Sequence, residues 1–138
     1  MDTIFTKIIK REIPAHIVYE DDEVIAFLDI TQATNGHTLV VTKAPYKNIF
    51  EVPESTLKHL FVVVQNLSVA IKKAFNPGGI NLLNNNGETA GQTVFHYHVH
   101  IIPRYESKDI DLKFYNHSSE LHSDDYKNRA AMIIAALS

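Results

Sequence analysis

Residues 91–104 read Gly-Gln-Thr-Val-Phe-His-Tyr-His-Val-His-Ile-Ile-Pro-Arg, and this stretch is the most informative part of the chain. Its histidines stand at alternate positions: His96, His98 and His100. Alternation of period two is typical of a β-strand, so all three imidazoles are predicted to leave one face of the strand. The intervening positions, which then face a core, are Tyr97, Val99 and Ile101. Consecutive rings are spaced by roughly 6–7 Å, because each strand residue rises about 3.3 Å. Three titratable rings in one row indicate an active site.

Two other interpretations of the row stay open. Histidines on a strand can serve packing or the surface alone, and His-x-His is also a good zinc half-site because neutral imidazoles ligate zinc. Zinc would need a further ligand, yet the chain has no cysteine. The other histidines follow no ligand spacing: His16, His37, His59, His117 and His122. We therefore predict no metal ion at the row.

The loop before the strand favours phosphate chemistry. Residues 84–93 read Asn-Asn-Asn-Gly-Glu-Thr-Ala-Gly-Gln-Thr and follow the apolar run 80–83. Glycines let backbone N–H groups approach an anion closely, and the Asn, Gln and Thr side chains supply neutral hydrogen-bond donors. Alone, such a loop predicts only a turn. Directly before three histidines it predicts one wall of a phosphate site.

Composition limits the class of protein. The chain has 138 residues, 45% of them hydrophobic, which predicts a single folded domain over residues 1–138. A net charge of −3 without a Lys/Arg cluster argues against nucleic acid polymers as partners. No signal peptide and no apolar run near about 18 residues is found, so we expect no membrane association and a cytoplasmic location.

Periodicity predicts an α+β order of elements. Helices are predicted over about 3–10, about 53–74 and from Asp124 to the C-terminus. Strands are predicted over 17–19, 24–28, 38–42, about 79–84 and about 94–102. The helix 53–74 carries three valines beyond what one sheet should cover, namely Val62, Val63 and Val69. This surplus is a broad buried stripe or a subunit interface, and we favour the interface.

Residues 85–104 fit Asn-x-Gly-x-x-Ala-Gly-Gln-Thr-Val-x-His-x-His-x-His-x-x-Pro-Arg, which resembles the signature of the histidine triad (HIT) family of nucleotide hydrolases and transferases. Residues 2–9, 12–14, 26–30 and 36–41 resemble its Hint branch, the purine-nucleoside phosphoramidases and their bacterial relatives. The resemblance implies a five-stranded antiparallel sheet with helices packed on it, extended across a homodimer. We expect a HIT core over about 3–104 and a C-terminal extension with a helix over about 105–138.

The resemblance also implies a reaction. It identifies His98 as the nucleophile, which attacks the α-phosphate of a nucleotide and forms a nucleotidyl-histidine intermediate. His96 and His100 are expected to orient groups and stabilise charge, and Thr93 to protonate a departing amine. The remaining phosphate-binding positions implied by the family are Asn85, Gly91, Gln92 and Val94. No cofactor is expected.

The same resemblance places the nucleoside. Asp29 matches the carboxylate that accepts hydrogen bonds from both ribose hydroxyls, and His37 is assigned to the nucleotide-binding set. The purine is expected in an apolar cleft formed by Ile4, Phe5, Ile8, Phe27 and Ile30. Asp29 has an ordinary alternative role, since an aspartate before Thr31 can cap a turn.

A structural zinc site known in many bacterial relatives is expected to be lost. Those relatives use Cys-x-x-Cys near the N-terminus and a histidine after the third strand, where this chain has Thr3, Thr6 and Pro45. Neither threonine nor proline provides a zinc ligand of the usual kind. We predict no structural metal.

Two functional hypotheses follow. In the first, the protein is an enzyme that cleaves purine nucleoside phosphoramidates, acyl-nucleotides or dinucleoside polyphosphates. In the second, it is a nucleotide-binding regulatory module whose turnover is incidental. The intact triad with Thr93 beside it favours catalysis.

Overall fold

A computed structural model describes residues 2–137, so the two ends of the predicted domain 1–138 lie outside the described residues. Five strands are present: β1 (Ile17–Glu20), β2 (Val24–Leu28), β3 (Thr38–Thr42), β4 (Gly79–Leu83) and β5 (His98–Arg104). The three α-helices are α1 (Ile4–Ile9), α2 (Glu54–Phe75) and α3 (Ser123–Ala136). In the part of the chain from 2 to 137, no helix is long and apolar enough to cross a membrane.

The strands form one antiparallel sheet in the order β1-β2-β3-β5-β4, which confirms the predicted fold class. β5 lies between β3 and β4, with His100 paired to Leu39 on one side and to Leu83 on the other. Both neighbours hold the backbone of β5, so its side chains are presented at fixed heights and on fixed faces. β4 is an edge strand.

The two faces of the sheet have separate cores. On one face, α2 packs against a cluster that includes Tyr97, Val99 and Ile101. On the other face, α1 packs against Phe27 and its neighbours on β2 and β3. Successive residues of a strand point to opposite faces of the sheet, so the three histidines lie on the α1 face, opposite Tyr97, Val99 and Ile101. Their common face agrees with the prediction.

β5 begins at His98, later than the predicted start near residue 94. The reason is a change of hydrogen-bond partner, since the N–H of Tyr97 donates to the carbonyl of Tyr46 at 2.6 Å. Tyr46 belongs to the chain after β3 and not to a strand. His96 therefore precedes the regular strand, although its ring stays on the α1 face, 5.9 Å from the ring of Phe5.

The apolar surface of α2 extends beyond the part that the sheet covers. Of the three valines predicted to lie in this uncovered part, one does not. Val63 is buried in the core between α2 and the sheet. The exposed fractions of Val62 and Val69 are 53% and 49%. Phe61 and Leu82 are likewise exposed large apolar residues, and both line a groove with Val62 between α2 and β4. We call Phe61, Val62, Val69 and Leu82 the α2–β4 patch.

Candidate active site

A cavity of about 410 Å³ opens on the α1 face of the sheet. One part of its wall is apolar and comes from α1, the segment after it, and strands β2 and β3. The other part is polar and comes from β5 and the loop before it, with Asn85, Gly91, Thr93, His98 and His100 in the lining. Such a cavity fits a ligand with a flat apolar end and an anionic end.

The ring of His98 is fixed by its own strand. Its Nδ1 lies 2.7 Å from the carbonyl oxygen of His96. A carbonyl only accepts, so we infer that Nδ1 carries the proton and that Nε2 keeps its lone pair. Phe5 packs edge-on against the ring at 4.9 Å between centroids, and the ring of His100 lies at 5.1 Å on the other flank.

A chain of hydrogen bonds fixes the tautomer of His100. The N–H of Ala33 donates to Nδ1 of His37 at 3.2 Å, which leaves the proton of a neutral His37 ring on Nε2. That Nε2 is 2.9 Å from Nδ1 of His100, so His37 donates and His100 accepts. The proton of a neutral His100 therefore lies on Nε2, and the ring lines the cavity as a hydrogen-bond donor.

His96 lies behind the cavity wall. Its side chain is fully buried, and its Nε2 donates to the carbonyl of Thr42 at 2.5 Å. Its Nδ1 is buried and has no hydrogen-bond partner within residues 2–137. The backbone carbonyl of His96 thus accepts from the ring of His98, and its own ring is hydrogen-bonded to β3. The ring of His96 does not line the cavity.

Burial lowers the pKa of all four imidazoles of this region. For His100 burial is the largest cause, and His98 and His37 lower its pKa further, to about 4. For His98 burial outweighs the opposing effects of the His96 carbonyl and of Asp29. Burial is also the main cause for His37 and for His96. The four rings are therefore neutral at neutral pH, and His98 is available as a nucleophile.

Asp29 divides its carboxylate between a turn and the cavity. Oδ1 accepts from the N–H of Thr31 at 2.9 Å and from its hydroxyl at 2.7 Å, so the turn role is realised. Oδ2 lies 3.6 Å from Nε2 of His37. Burial raises the pKa of Asp29, but the Thr31 hydrogen bonds and the nearby histidines offset this and hold it below its usual value. An ionised carboxylate therefore lines the cavity.

The side chain of Gln92 holds the loop before β5 in place and does not line the cavity. Gln92 is buried; its amide donates to the carbonyls of Lys47 at 2.7 Å and Val94 at 3.1 Å, and its oxygen accepts from the N–H of Gly87 at 2.8 Å. Gly91 has a φ of 95°, which L side chains rarely adopt. Gln92 was predicted to contact phosphate, and the structure instead places it in the scaffold.

Two other loop side chains are free for a ligand. In residues 2–137 the side chains of Asn85 and Thr93 have no protein hydrogen-bond partner, and both line the cavity. The backbone N–H groups of Thr93 and Val94 also have none there. These four groups are neutral donors at the polar end, beside His98 and His100.

The predicted apolar cleft is assembled. Ile4, Phe5, Ile8, Phe27 and Ile30 all line the cavity with Asp29 and Val94. Sequence reasoning missed part of the wall, namely Ile13, Pro14, Ala15, His16, Leu28 and Leu39. The segment 12–14 was part of the recognised pattern, but nothing in it showed that the chain would turn back across the cleft. His37 was predicted to bind nucleotide and instead stands behind His100.

Among residues 2–137, one group has the spacing of a metal site. Ligand atoms of Asp29, His37 and His100 all lie within 4.8 Å of one another. A metal needs a lone pair on each ligand nitrogen, whereas Nε2 of His37 carries a proton because Ala33 donates to its Nδ1. The directions of these hydrogen bonds favour a chain of hydrogen bonds from Ala33 through His37 to His100 over a metal site.

Two of the three positions at which a structural zinc site was expected to be lost form a helix cap. Thr3 and Thr6 form a reciprocal capping box at the start of α1, with the Thr6 hydroxyl 2.7 Å from the N–H of Thr3. Pro45 lines a small cavity together with Thr3, so the positions are close in space. None of the three offers a thiolate or an imidazole.

Comparisons with known proteins identify a family. Residues 10–107 match the HIT domain. The chain is 50% identical over 124 residues to Protein hit of Bacillus subtilis (strain 168), covering 90% of this chain and 83% of that protein. It is 37% identical over 136 residues to the adenylylsulfatase HINT3 of Arabidopsis thaliana, covering 99% of this chain and 68% of that protein.

A solved structure shares the whole arrangement. The crystal structure of a HIT family member from Bacillus subtilis superposes with a TM-score of 0.95 at 45% identity, covering 100% of this chain and 99% of that chain. The superposition therefore includes the segment after Arg104. That segment has the same placement relative to the sheet in both proteins.

The buried histidines predict a loss of stability in mild acid. An unfolded chain takes up protons below a histidine pKa near 6.5, whereas folded His100 resists protonation until about pH 4. The free energy of unfolding should therefore decrease as pH falls from about 6.5 to about 4. Because solvent screens the ring in part, we expect His100 to contribute about 1–2 kcal/mol of this loss.

The measurement is urea unfolding across this range for the wild type, His100→Asn and a matched His117→Asn variant. The His100 variant should lose part of the dependence, and the variant at exposed His117 should keep it. Identical slopes in all three proteins would contradict the assignment.

Proposed function

The chain belongs to the HIT domain family, and we propose that it is a nucleotide hydrolase or transferase acting at the α-phosphate of purine nucleoside phosphoramidates or related AMP-X compounds. The observation that carries the proposal is the orientation of His98. Its Nδ1–H is bonded to the His96 carbonyl, so a neutral ring keeps a lone pair on Nε2 in a wall that also holds unused donors. A nucleophile and preorganised donors are the two parts that phosphoryl transfer needs.

The first step forms a covalent intermediate. The lone pair of His98 Nε2 attacks the α-phosphorus; an N–P bond forms, and the bond from phosphorus to the leaving group breaks with its electron pair. The ring becomes cationic, and the Nδ1–H bond to the His96 carbonyl strengthens because a charged donor binds a carbonyl oxygen more tightly. An amine leaving group takes a proton through the Thr93 hydroxyl, which solvent replenishes because Thr93 is exposed.

The second step releases the nucleotide. Water attacks the same phosphorus, the N–P bond breaks, and the electron pair returns to Nε2 of His98. The proton from water passes to solvent, which restores the proton used in the first step. The products are the nucleoside monophosphate and the free leaving group. Another nucleophile in place of water would make the reaction a transfer.

His100 and Asp29 are proposed to form hydrogen bonds with the substrate at the polar end of the cavity. His100 presents an N–H at Nε2, because His37 donates to its Nδ1, and so provides a donor for a non-bridging phosphate oxygen. Oδ2 of Asp29, near His37, helps to hold the His37 proton on Nε2 and offers an acceptor to a ribose hydroxyl. Asn85 and the N–H groups of Thr93 and Val94 complete the donor set.

Two observations support an adenylyl group as the part of the substrate that is transferred. The Arabidopsis relative is named an adenylylsulfatase, which supports an adenylyl group as the part transferred. The apolar wall from Ile4 to Leu39 supports a purine at the other end of the cavity. Dinucleoside polyphosphates are the alternative substrates, since attack at their α-phosphorus would give the same nucleotidyl intermediate, with a P–O bond to the next phosphate broken in place of a P–N bond.

We also propose that the body over about 3–104 forms a homodimer through the α2–β4 patch. β4 is an edge strand, and a second copy of β4 beside it would extend the sheet and satisfy the free backbone groups. The patch would be covered at the same time. The C-terminal extension begins at the end of β5, next to this edge.

Substitution of His98 by Ala tests the nucleophile. Turnover of a fluorogenic adenosine phosphoramidate should fall by at least about 10³-fold, because the substitution removes the ring whose Nε2 lone pair attacks phosphorus. AMP binding by calorimetry should stay within a few-fold, since the donors remain. His117→Ala is the matched control and should keep full activity. Comparable turnover in the His98→Ala protein, or a quenched nucleotidyl-histidine that maps to another residue, would refute the assignment.

Substitution of Thr93 by Ala tests the acid. The loss should be roughly 10- to 100-fold on a phosphoramidate, whose amine must gain a proton as it leaves. It should be small on adenylyl sulfate, whose sulfate leaves as a stable anion. The ratio of kcat values between the two substrates is the measurement. Equal losses on both would assign Thr93 to binding alone.

The sugar contact is tested with AMP and 2′-deoxy-AMP. If Asp29 accepts from both ribose hydroxyls, AMP should bind more tightly by roughly 1–3 kcal/mol, and the gap should shrink in Asp29→Asn. Asp22→Asn is the matched control at an exposed position. Equal affinities of the wild type for both nucleotides would leave Asp29 with its turn role only.

The dimer is tested by sedimentation at micromolar concentration, where we expect twice the chain mass of 15.6 kDa. Val62→Asp should weaken the dimer by at least about 10-fold, because it places a charge in a desolvated patch. Ala70→Asp, at an exposed position of α2 outside the groove beside Leu82, should leave it unchanged. If the wild type sediments with the mass of one chain, the proposed dimer is wrong.

A further inference from the structure

We propose that a groove beside the active site binds the leaving group, and that Lys47 recognises a carboxylate at the far end of that group. The groove, which we call the Phe95 groove, is lined by Ile4, Pro45, Lys47, Thr93, Val94 and Phe95. This inference rests on the proposed function and deepens it. It names the class of leaving group that the site prefers, namely amines that carry a carboxylate.

The Phe95 groove meets the active site at the residue proposed to protonate the leaving group. Ile4, Thr93 and Val94 line the groove and the active-site cavity alike, whereas Lys47 and Phe95 line the groove alone. In the proposed first step the leaving amine takes its proton through the Thr93 hydroxyl, so the amine nitrogen lies beside Thr93. The active-site cavity holds the nucleoside. The groove is therefore the space into which the rest of the amine extends.

The groove combines an apolar wall with one charge. Ile4, Pro45, Val94 and Phe95 provide carbon surface, and 39% of Phe95 is exposed. Within residues 2–137, Lys47 is the only charged side chain that lines the groove. Apolar surface favours methylene groups or a ring, and an ammonium group favours an anion. One ammonium matches the single charge of a carboxylate better than the several charges of a polyphosphate chain.

The ammonium of Lys47 is available to a ligand. Among residues 2–137 its Nζ forms no ion pair and no hydrogen bond, whereas Nζ of nearby Lys43 lies 2.7 Å from the carboxylate of Glu20. The carboxylate of Glu51 accepts from the backbone N–H of Lys47 at 2.9 Å and does not pair with its ammonium. Nζ lies 5.7 Å from the centroid of the Phe95 ring. An exposed contact of this kind is weak, so it holds the ammonium over the groove without competing strongly with a carboxylate.

The backbone of Lys47 is fixed relative to the loop that carries Thr93. The carbonyl of Lys47 accepts from the Gln92 amide at 2.7 Å. The carbonyl of the preceding residue, Tyr46, accepts from the N–H of Tyr97 at 2.6 Å. These two hydrogen bonds hold the segment 46–47 against both ends of the segment 92–97. The side chain of Lys47 therefore starts from a constant position beside Thr93, which reduces the cost of ordering it around a ligand.

The experiment measures kcat/KM for adenosine phosphoramidates whose amines are ω-amino carboxylates of increasing length, from β-alanine to 6-aminohexanoate. Each acid is paired with its neutral N-methylamide, which keeps the P–N bond and the chain but removes the charge. The preference is the ratio of kcat/KM for the acid to kcat/KM for the amide. General effects of a substitution on turnover cancel in this ratio. The series of lengths covers the range over which the flexible lysine side chain can meet the carboxylate.

We expect the wild type to prefer the acid by roughly 3- to 10-fold for at least one chain length, because the carboxylate pairs with Lys47. The preference should appear mainly in KM, since the carboxylate is bound equally before and during cleavage of the P–N bond. It should decrease when the ionic strength is raised from about 0.05 M to about 0.5 M, because salt screens a solvent-exposed ion pair.

Substitutions of Lys47 should change the preference according to charge. Lys47→Met should abolish it, Lys47→Arg should retain it, and Lys47→Glu should reverse it. Lys73→Met is the matched control, because Lys73 is an exposed lysine near the end of α2, and it should keep the wild-type ratio. AMP affinity, measured by calorimetry, should show that the nucleotide site stays assembled in each variant.

The outcomes separate the groove from the reaction. If the wild type hydrolyses the amides but prefers no acid of the series, this inference is wrong and the proposed function stands. A preference that persists in Lys47→Met, or that is the same at low and high salt, would also overturn it. If neither acids nor amides are hydrolysed by the wild type, the proposed function fails and the inference fails with it.

Discussion

The hydrogen bond from Nδ1 of His98 to the carbonyl of His96 is possible only because the chain keeps one pleat across the start of β5. Two residues along an extended backbone return to the same side, which brings the ring of one histidine over the carbonyl of the other. The pleat itself is kept by Tyr97, whose side chain fills the core under α2. The geometry of the proposed nucleophile and the packing of the core are therefore consequences of one backbone conformation.

Desolvation gives the site its chemical character. Four imidazoles lie close together, and burial lowers the pKa of each, which removes the positive charge that would otherwise accumulate beside a phosphate. Neutral rings provide a lone pair on His98 and a directed N–H on His100. In the proposed reaction, fixed neutral donors would stabilise the charge of the transition state without holding the phosphate so tightly that the product stays bound. The charge of the site comes from the carboxylate of Asp29, which lines the cavity at the position proposed for the sugar.

Two glutamines hold the loops that present these groups. Gln92 ties the loop before β5 to the chain near Lys47, and Gln32 ties the loop between β2 and β3 by donating to the carbonyls of Asp29 and His37. Each side chain makes three hydrogen bonds with the backbone. Loops whose polar side chains are used in this way are rigid, and rigidity keeps Thr93, Asn85 and His37 in register with β5.

Sequence alone determined the class of fold and the order and faces of the strands, since alternation and short motifs are local properties of a chain. It also indicated part of the cavity lining, from Ile4, Phe5 and Ile8 on α1 to His98 and His100 on β5, but not the segment 13–16, Leu28 or Leu39. It did not determine the start of β5, because that depends on the carbonyl of Tyr46 from another part of the chain. Nor did it separate residues that line the cavity from residues behind it. His37, Gln92 and His96 belong to the same motifs as their neighbours, and only tertiary hydrogen bonds to His100, Lys47 and Thr42 show that they support the wall. A pattern specifies which face a side chain leaves, but the partner that it meets there is decided by segments distant in sequence.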